Sequence, residues 1–258
     1  MKHNKKRTVS IIFFTVIVAA LLTLSVLNIK YTDDVTKNSL IQNCVLRTLC
    51  SILVIGVCIF YGIKQSINPL KCNWTRSLLW CLPCLLVVLA NFPYSALMSE
   101  SATIDRADLL WLFIADCLLI GIYEEFLFRG LFQNIFDDFF KTSANGKILA
   151  IVATSATFAL WHLFNLFSGA SAGATLLQVG YSFLIGIMLS SVIVKTKNIW
   201  ICVLLHFIFD IGGLLIPTLG HGNFQDIYFW IATIVCGTLC AIHIIIFLIR
   251  LSKNKDDA

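Results

Sequence analysis

An all-α, polytopic membrane helix bundle of about eight transmembrane helices around an intramembrane polar cavity is the fold class this sequence predicts. Three observations predict it. The chain is too apolar for a water-soluble domain: of its 258 residues 59% are hydrophobic and 13% charged, with a mean hydropathy of +0.88, where a soluble domain carries about 25% charged residues. Apolar stretches of about 20 residues, the length that crosses a bilayer, recur along it. The basic residues collect in alternate connections between those stretches.

The stretches cover about 9–28, 40–63, 77–98, 109–136, 147–167, 175–194, 199–219 and 227–250. The first follows MKHNKKR, with four Lys/Arg, and this end is expected to stay cytoplasmic. Its apolar run is about 20 residues and no A-x-A site follows, so it reads as a retained anchor. The second is weakened near its start by Gln42, Asn43 and Arg47. The third contains Pro83 and Pro93. The fourth, fifth and seventh carry Glu124, Glu125, Arg129, His162, His206 and Asp210, and these three are expected to line a polar interior. The sixth has a small-residue face of Gly180, Ser182, Gly186, Ser190 and Ser191, suited to close helix packing. The eighth ends in Arg250, Lys253 and Lys255.

Charge placement fits eight spans with both ends inside. Lys64, Lys71, Arg76, Lys141, Lys147, Lys195 and Lys197 fall in the connections on the side of the N-terminus. The opposite side has Lys30, Lys37 and Arg106. The net charge of +5 is thus a topology signal of an integral membrane protein, expected in the plasma membrane, and no basic patch points to nucleic acid. All connections are short, so residues 1–258 read as one membrane domain. Spans over about 1–108 precede a motif-bearing core at about 109–219, and the last span is 227–250. There is no room for a soluble catalytic domain; chemistry must lie within the bundle.

The ten cysteines fall mostly inside the stretches. Cys81 and Cys84 form C-L-P-C, which in a membrane helix reads as small, apolar, reduced thiols. Disulfides are not expected, and no Cys/His spacing matches a structural zinc site.

Intramembrane charges cost roughly 2.5–3.5 kcal/mol each at a helix centre, so they need a reason. Glu125 and Arg129 are four apart and share a helix face, where they can pair and fix helix packing. Glu124 points about 100° away from Glu125. His206 and Asp210 are again four apart. Counting 1.5 Å per residue from the presumed cytoplasmic ends puts Glu124 roughly 18 Å deep, His162 roughly 22 Å, His206 roughly 10 Å and Asp210 roughly 16 Å, which permits one shared cavity. Such a set can activate water, a carboxylate serving as general base and a histidine orienting the water or donating to an oxyanion. Equally, Glu124, His162 and His206 can be read as ligands of a divalent metal such as zinc with one open position. The HExxH motif is absent. Phe158, Trp161 and Asn165 are expected to shape the cavity. Asp116 is expected near the outer interface, and His221 and His243 lack polar neighbours in sequence.

The segments EEFLFR (124–129), FALWH (158–162) and HFIFD (206–210) match EExxxR, FxxxH and HxxxN/D. In this order on separate membrane helices the chain resembles the CPBP (Abi) family of CAAX prenyl endopeptidases and bacteriocin-processing enzymes, over about residues 120–211. The resemblance implies an intramembrane endopeptidase acting on peptide or lipidated-protein substrates near the membrane surface. It implies that Glu124 activates water with His162, and that His206 and Asp210 lie on the oxyanion side, with a metal or without one. The CAAX-processing branch typically has Asn where this chain has Asp210. An ionised Asp opposes an oxyanion, so Asp here favours metal binding, a protonated acid, or orienting His206.

Two other classes compete. A non-catalytic membrane partner in bacteriocin self-immunity leaves no sequence feature to test. A proton-coupled transporter is expected to show paired repeats and interrupted helices. Neither is seen, and Pro83, Pro93 and Pro217 do not occupy corresponding halves.

Overall fold

The computed structural model describes residues 29–63, 67 and 74–253. The expected span 9–28 lies outside the described residues. The helices are α1 Val35–Tyr61, α2 Trp74–Trp80, α3 Leu82–Ala90, α4 Tyr94–Met98, α5 Leu110–Glu125, α6 Gln133–Phe140, α7 Gly146–Trp161, α8 Ala172–Thr196, α9 Ile199–Leu219 and α10 Ile227–Lys253. A 3₁₀ turn at His162–Ser168 prolongs α7, and a short two-stranded ribbon pairs β1 Ala102–Ile104 with β2 Gly220–Gly222.

Five helices are long and apolar enough to cross a membrane by length and composition: Val35–Tyr61, Gly146–Phe167, Ala172–Thr196, Ile199–Leu219 and Ile227–Lys253. They coincide with five of the expected stretches and make this an integral membrane protein. The stretch at 77–98 is instead divided. Pro83 and Pro93 have no N–H to give to the preceding turn, and the chain bends at Asn91–Pro93 before α4. The stretch at 109–136 is helical from Leu110 to Phe140, through a wider turn described below. It holds Asp116, Glu124, Glu125 and Arg129, and so is not among the five apolar helices.

Apolar area buried between helices gains little in lipid, so association rests on close packing and hydrogen bonds. The glycines are placed accordingly. A Cβ on Gly121 would lie 3.1 Å from the Val203 carbonyl, which brings α5 against α9. On Gly186 it would lie 2.9 Å from Ser155 Cβ, which brings α8 against α7. Ser182, Ser190 and Ser191 of α8 are buried with it, whereas Gly180, expected on the same face, meets open space.

Helices α1 and α5 run parallel in register. Asp34 pairs with Arg106, the Cys44 thiol reaches Leu112 O, Arg47 pairs with Asp116 and the Cys58 thiol reaches Phe126 O. Their separations in sequence are 72, 68, 69 and 68. One end of the bundle is closed by the ribbon, whose Asp105 and Arg106 amides donate to Leu219 O at 2.8 and 2.9 Å. Here Asp34 takes two hydrogen bonds from Arg106, at 3.2 and 2.7 Å. His221 lies 2.6 Å from Asp105 and 3.3 Å from Thr103 Oγ1, polar company that its sequence neighbours do not reveal. At the other end Tyr61 donates to Asp138 at 2.6 Å, Lys147 pairs with Asp137 at 3.2 Å and the Trp200 indole donates to Ile67 O at 2.8 Å.

The cysteines among the described residues are free thiols. Cys81 and Cys84 are buried, with Cys84 Sγ 3.9 Å from Cys240 Sγ of α10. His243, one turn further on, packs on the Trp80 ring at 4.6 Å between centroids.

Candidate active site

The centre of the polar interior is built where α5 ends. Beyond Glu125 the chain does not continue as an α-helix; Phe126–Phe132 forms a π turn. Single wide turns of this kind within α-helices are frequent at functional sites. The wider winding shifts the phase of every side chain beyond it and changes the partners of its carbonyls. Phe126 O accepts the Cys58 thiol at 3.2 Å and Gly130 O accepts Asn134 Nδ2 at 2.6 Å. Gly130 is needed because a Cβ there would lie 2.9 Å from Cys58 Sγ. No feature of EEFLFRG announces this turn.

Arg129 reaches back one turn to Glu125, Nη1 to Oε1 at 2.8 Å, and neither side chain is exposed. Its guanidinium also lies 4.4 Å from the centroid of the Phe158 ring, a cation–π contact, and Nη2 is 3.5 Å from Gly186 O. The same Glu125 oxygen lies 2.7 Å from His206 Nδ1. An ionised carboxylate only accepts, so Nδ1 carries the hydrogen and Nε2 is left for other groups. Nε2 lies 3.7 Å from Glu124 Oε2 and 3.6 Å from Asp210 Oδ2. Five of the six residues singled out from the sequence therefore meet around one imidazole.

His162 joins less directly. Its Nδ1 lies 3.1 Å from Phe158 O, and a carbonyl only accepts, so Nδ1 is the donor and Nε2 is left as the acceptor. The Phe158 ring stands edge-on to both imidazoles, with centroids 5.1 Å from His162 and 5.8 Å from His206. Phe158 is thus packed against both imidazoles. Trp161 packs against Phe128, and Asn165 donates to Gln178 at 2.8 Å.

A metal reading requires Glu124, His162 and His206 around one point. Among the described residues no three His, Cys, Asp or Glu side chains are gathered to hold a metal ion. The Nδ1 bonds of His206 to Glu125 and of His162 to Phe158 O leave each Nε2 free, as in metal-ligating histidines; it is the lack of a gathered third ligand among the described residues that does not fit that group.

Two further polar residues have partners that the sequence does not reveal. Asp116 is buried in α5 and paired with Arg47 of α1, the residue that weakened the second apolar stretch. Each accounts for the other's tolerance inside the bundle, but 69 residues separate them. Asn91, at the bend after α3, donates to Phe209 O at 2.7 Å, beside Asp210. Gly212 and Gly213 make room for it, since a Cβ on either would lie 2.8 Å from an Asn91 atom.

A helical membrane protein with carboxylates and imidazoles converging inside its bundle is the class that fold and site define. Residues 106–212 match the family model described as type II CAAX prenyl endopeptidase Rce1-like, and this segment is an Rce1-like domain of the CPBP/Abi family. Membership implies an intramembrane protease. The match includes all six motif residues and excludes Arg47. Comparison with curated proteins and with solved structures gave no match.

Proposed function

We propose that the protein is an intramembrane endopeptidase that hydrolyses a peptide bond of a membrane-associated substrate, a lipidated protein or a peptide, with Glu124 as general base. The observation that carries this reading is the orientation of His206. Its Nδ1 is fixed by Glu125, itself neutralised by Arg129, so Nε2 faces Glu124 and Asp210 in a low-dielectric interior. Glu124 approaches His206 Nε2 at 3.7 Å, whereas Glu125 is taken by Arg129 and His206.

In the proposed reaction Glu124 takes a proton from a water that His162 Nε2 helps to orient, and the hydroxide adds to the scissile carbonyl carbon. His206 stands on the side where the oxyanion develops. When the tetrahedral adduct collapses, the C–N bond breaks and the proton held by Glu124 passes to the leaving amine. Asp210 at 3.6 Å from Nε2 is suited to holding the His206 ring, which is the reading of this Asp that the geometry supports. The positive-inside bias assigns both chain ends to the cytoplasm.

The test is a comparison of membranes containing wild type or Glu124→Gln at equal protein level, with peptide termini read by mass spectrometry. Termini that arise only with wild type are expected, and they identify the substrate. Termini identical in both samples, in cells that carry out the cleavage, contradict the proposal.

A further inference from the structure

Helix α9 carries His206 and Asp210, and it is weakest directly beyond them. Gly212 and Gly213 are adjacent poor helix formers, and Pro217 has no N–H to give to the Gly213 carbonyl four residues back. Helices kink at such places. Yet α9 runs unbroken from Ile199 to Leu219.

The bend between α3 and α4 meets α9 at this joint. Asn91 donates through Nδ2 to Phe209 O at 2.7 Å. Phe209 lies inside α9, whose own ladder already gives that carbonyl a donor, so the Asn91 bond is a second one on the oxygen. It is not needed to satisfy a buried acceptor; it fixes where the helix lies. The two glycines let the bend come close. A Cβ on Gly213 would lie 2.8 Å from Asn91 Nδ2, and one on Gly212 would lie 2.8 Å from both Asn91 O and the Phe92 ring. The bend is itself held. Leu97 N donates to Pro93 O at 3.0 Å, and Ser95 Oγ donates at 2.9 Å to Asp226, just before α10.

Phe209 and Gly213 form the row beside His206 and Asp210 on α9, so a shift of one row carries the other with it. That second row has little slack, with His206 Nδ1 2.7 Å from Glu125 and Asp210 3.6 Å from His206 Nε2. We propose that Asn91 is a positioning residue of the active site: its amide clamps α9 at Phe209 O, beside the weak Gly212–Gly213 joint, and so holds Asp210 and His206 in place against Glu124 and Glu125. The role rests on the peptidase reading above and adds to it a residue outside the matched segment 106–212. Asn91 touches no reacting atom; it acts through the backbone of α9.

The direct test is infrared spectroscopy of the purified full chain in phospholipid vesicles. Subtracting the spectrum of Asp210→Asn from that of wild type isolates the Asp210 carboxyl band. The same subtraction in an Asn91→Ala background is expected to give a displaced band, because Asp210 no longer keeps its place beside His206. A loss of stability alone leaves the band of the folded molecules where it was. A band unmoved by Asn91→Ala overturns the proposal. If Asn91→Ala does not fold, Gly213→Ala takes its place under the same criterion, since its Cβ drives Asn91 Nδ2 off Phe209 O. Cleavage of the substrate mapped above gives a second reading. Asn91→Ala and Gly213→Ala should each slow it about tenfold, as misplaced reacting groups do. Together they should be no more than about twofold slower than Asn91→Ala alone, because the side chain that the new Cβ meets is gone. Losses that multiply to about a hundredfold mean that the two residues act separately, and they overturn the clamp. The two levels separate cleanly: Glu124→Gln that still cleaves removes the peptidase reading, whereas an unmoved band with Glu124→Gln inactive removes only this role.

Discussion

Two arginine–carboxylate pairs lie inside this bundle, and the contrast between them explains much of the molecule. Glu125 and Arg129 lie on one helix, four residues apart, with no exposure of either side chain. Arg47 and Asp116 join two helices across 69 residues, and Arg47 keeps 28% of its side chain exposed. The first pair is closed off from everything except His206, Phe158 and Gly186. The second keeps part of its arginine uncovered. The difference teaches that one pair holds the His206 imidazole, and the other ties α1 to α5.

The contrast can be broken by removing the arginines one at a time. Arg129→Met strands Glu125 as an uncompensated charge in the least exposed part of the fold and should cost about 3–5 kcal/mol. Thermal unfolding in detergent measures it. Replacing Glu125 by Gln in the same chain should restore part of that loss, since the stranded charge is then gone. Arg47→Gln should cost less, about 1–3 kcal/mol, between the limits for buried and surface pairs. Equal costs for the two arginines would mean that exposure is not what separates them.

A third arginine sharpens the comparison from outside the bundle. Arg106 bonds Asp34 and Asp108 at the ribbon end, and its hydrogen bonds hold the Asp34 carboxyl below the usual carboxylate value. A lowered folded-state pKa means that the contribution is complete above the unfolded-state value of 3.8 and is lost as pH falls through the folded one. Arg106→Ala should therefore lower the melting temperature slightly at neutral pH, the smallest effect of the three arginines. The gap to wild type should close as the pH is taken well below 3.8. A gap that persists in acid would assign Arg106 another role.

Much of the first pair was legible in the sequence, and almost none of the second. Spacings of four put Glu125 with Arg129 and His206 with Asp210 on shared faces, because a helix repeats every 3.6 residues. Depth counting from the helix ends then allowed Glu124 to meet His206, and the structure has them 3.7 Å apart. His162 is the partial case: its depth count allowed a shared site, but the carbonyl that takes its Nδ1 and the Phe158 ring between it and His206 are tertiary facts. The Arg47–Asp116 pair depends on the parallel register of α1 and α5, which no local pattern encodes. Arg47 alone looked like a flaw in an apolar helix, and Asp116 alone like an interfacial residue. The π turn at Phe126–Phe132 was equally silent, since its residues are ordinary apolar ones. The break of the 77–98 stretch was visible as Pro83 and Pro93, yet apolarity alone read straight through them.

The metal question has its own expected outcome. With no ligand trio gathered among the described residues, cleavage by membranes treated with a chelator should match that of untreated membranes. Activity lost to the chelator and restored by zinc would reverse the glutamate–histidine account.

The central claim is a division of labour between adjacent glutamates: Glu124 moves the proton and Glu125 holds His206. The measurement that tests it most directly is the cleavage rate of Glu124→Gln in reconstituted vesicles, against a peptide spanning the mapped terminus. The account predicts a loss of about 10²–10⁴-fold, the size of a general-base contribution, with the melting temperature near that of wild type. A Glu124→Gln protein that cleaves at the wild-type rate would contradict it.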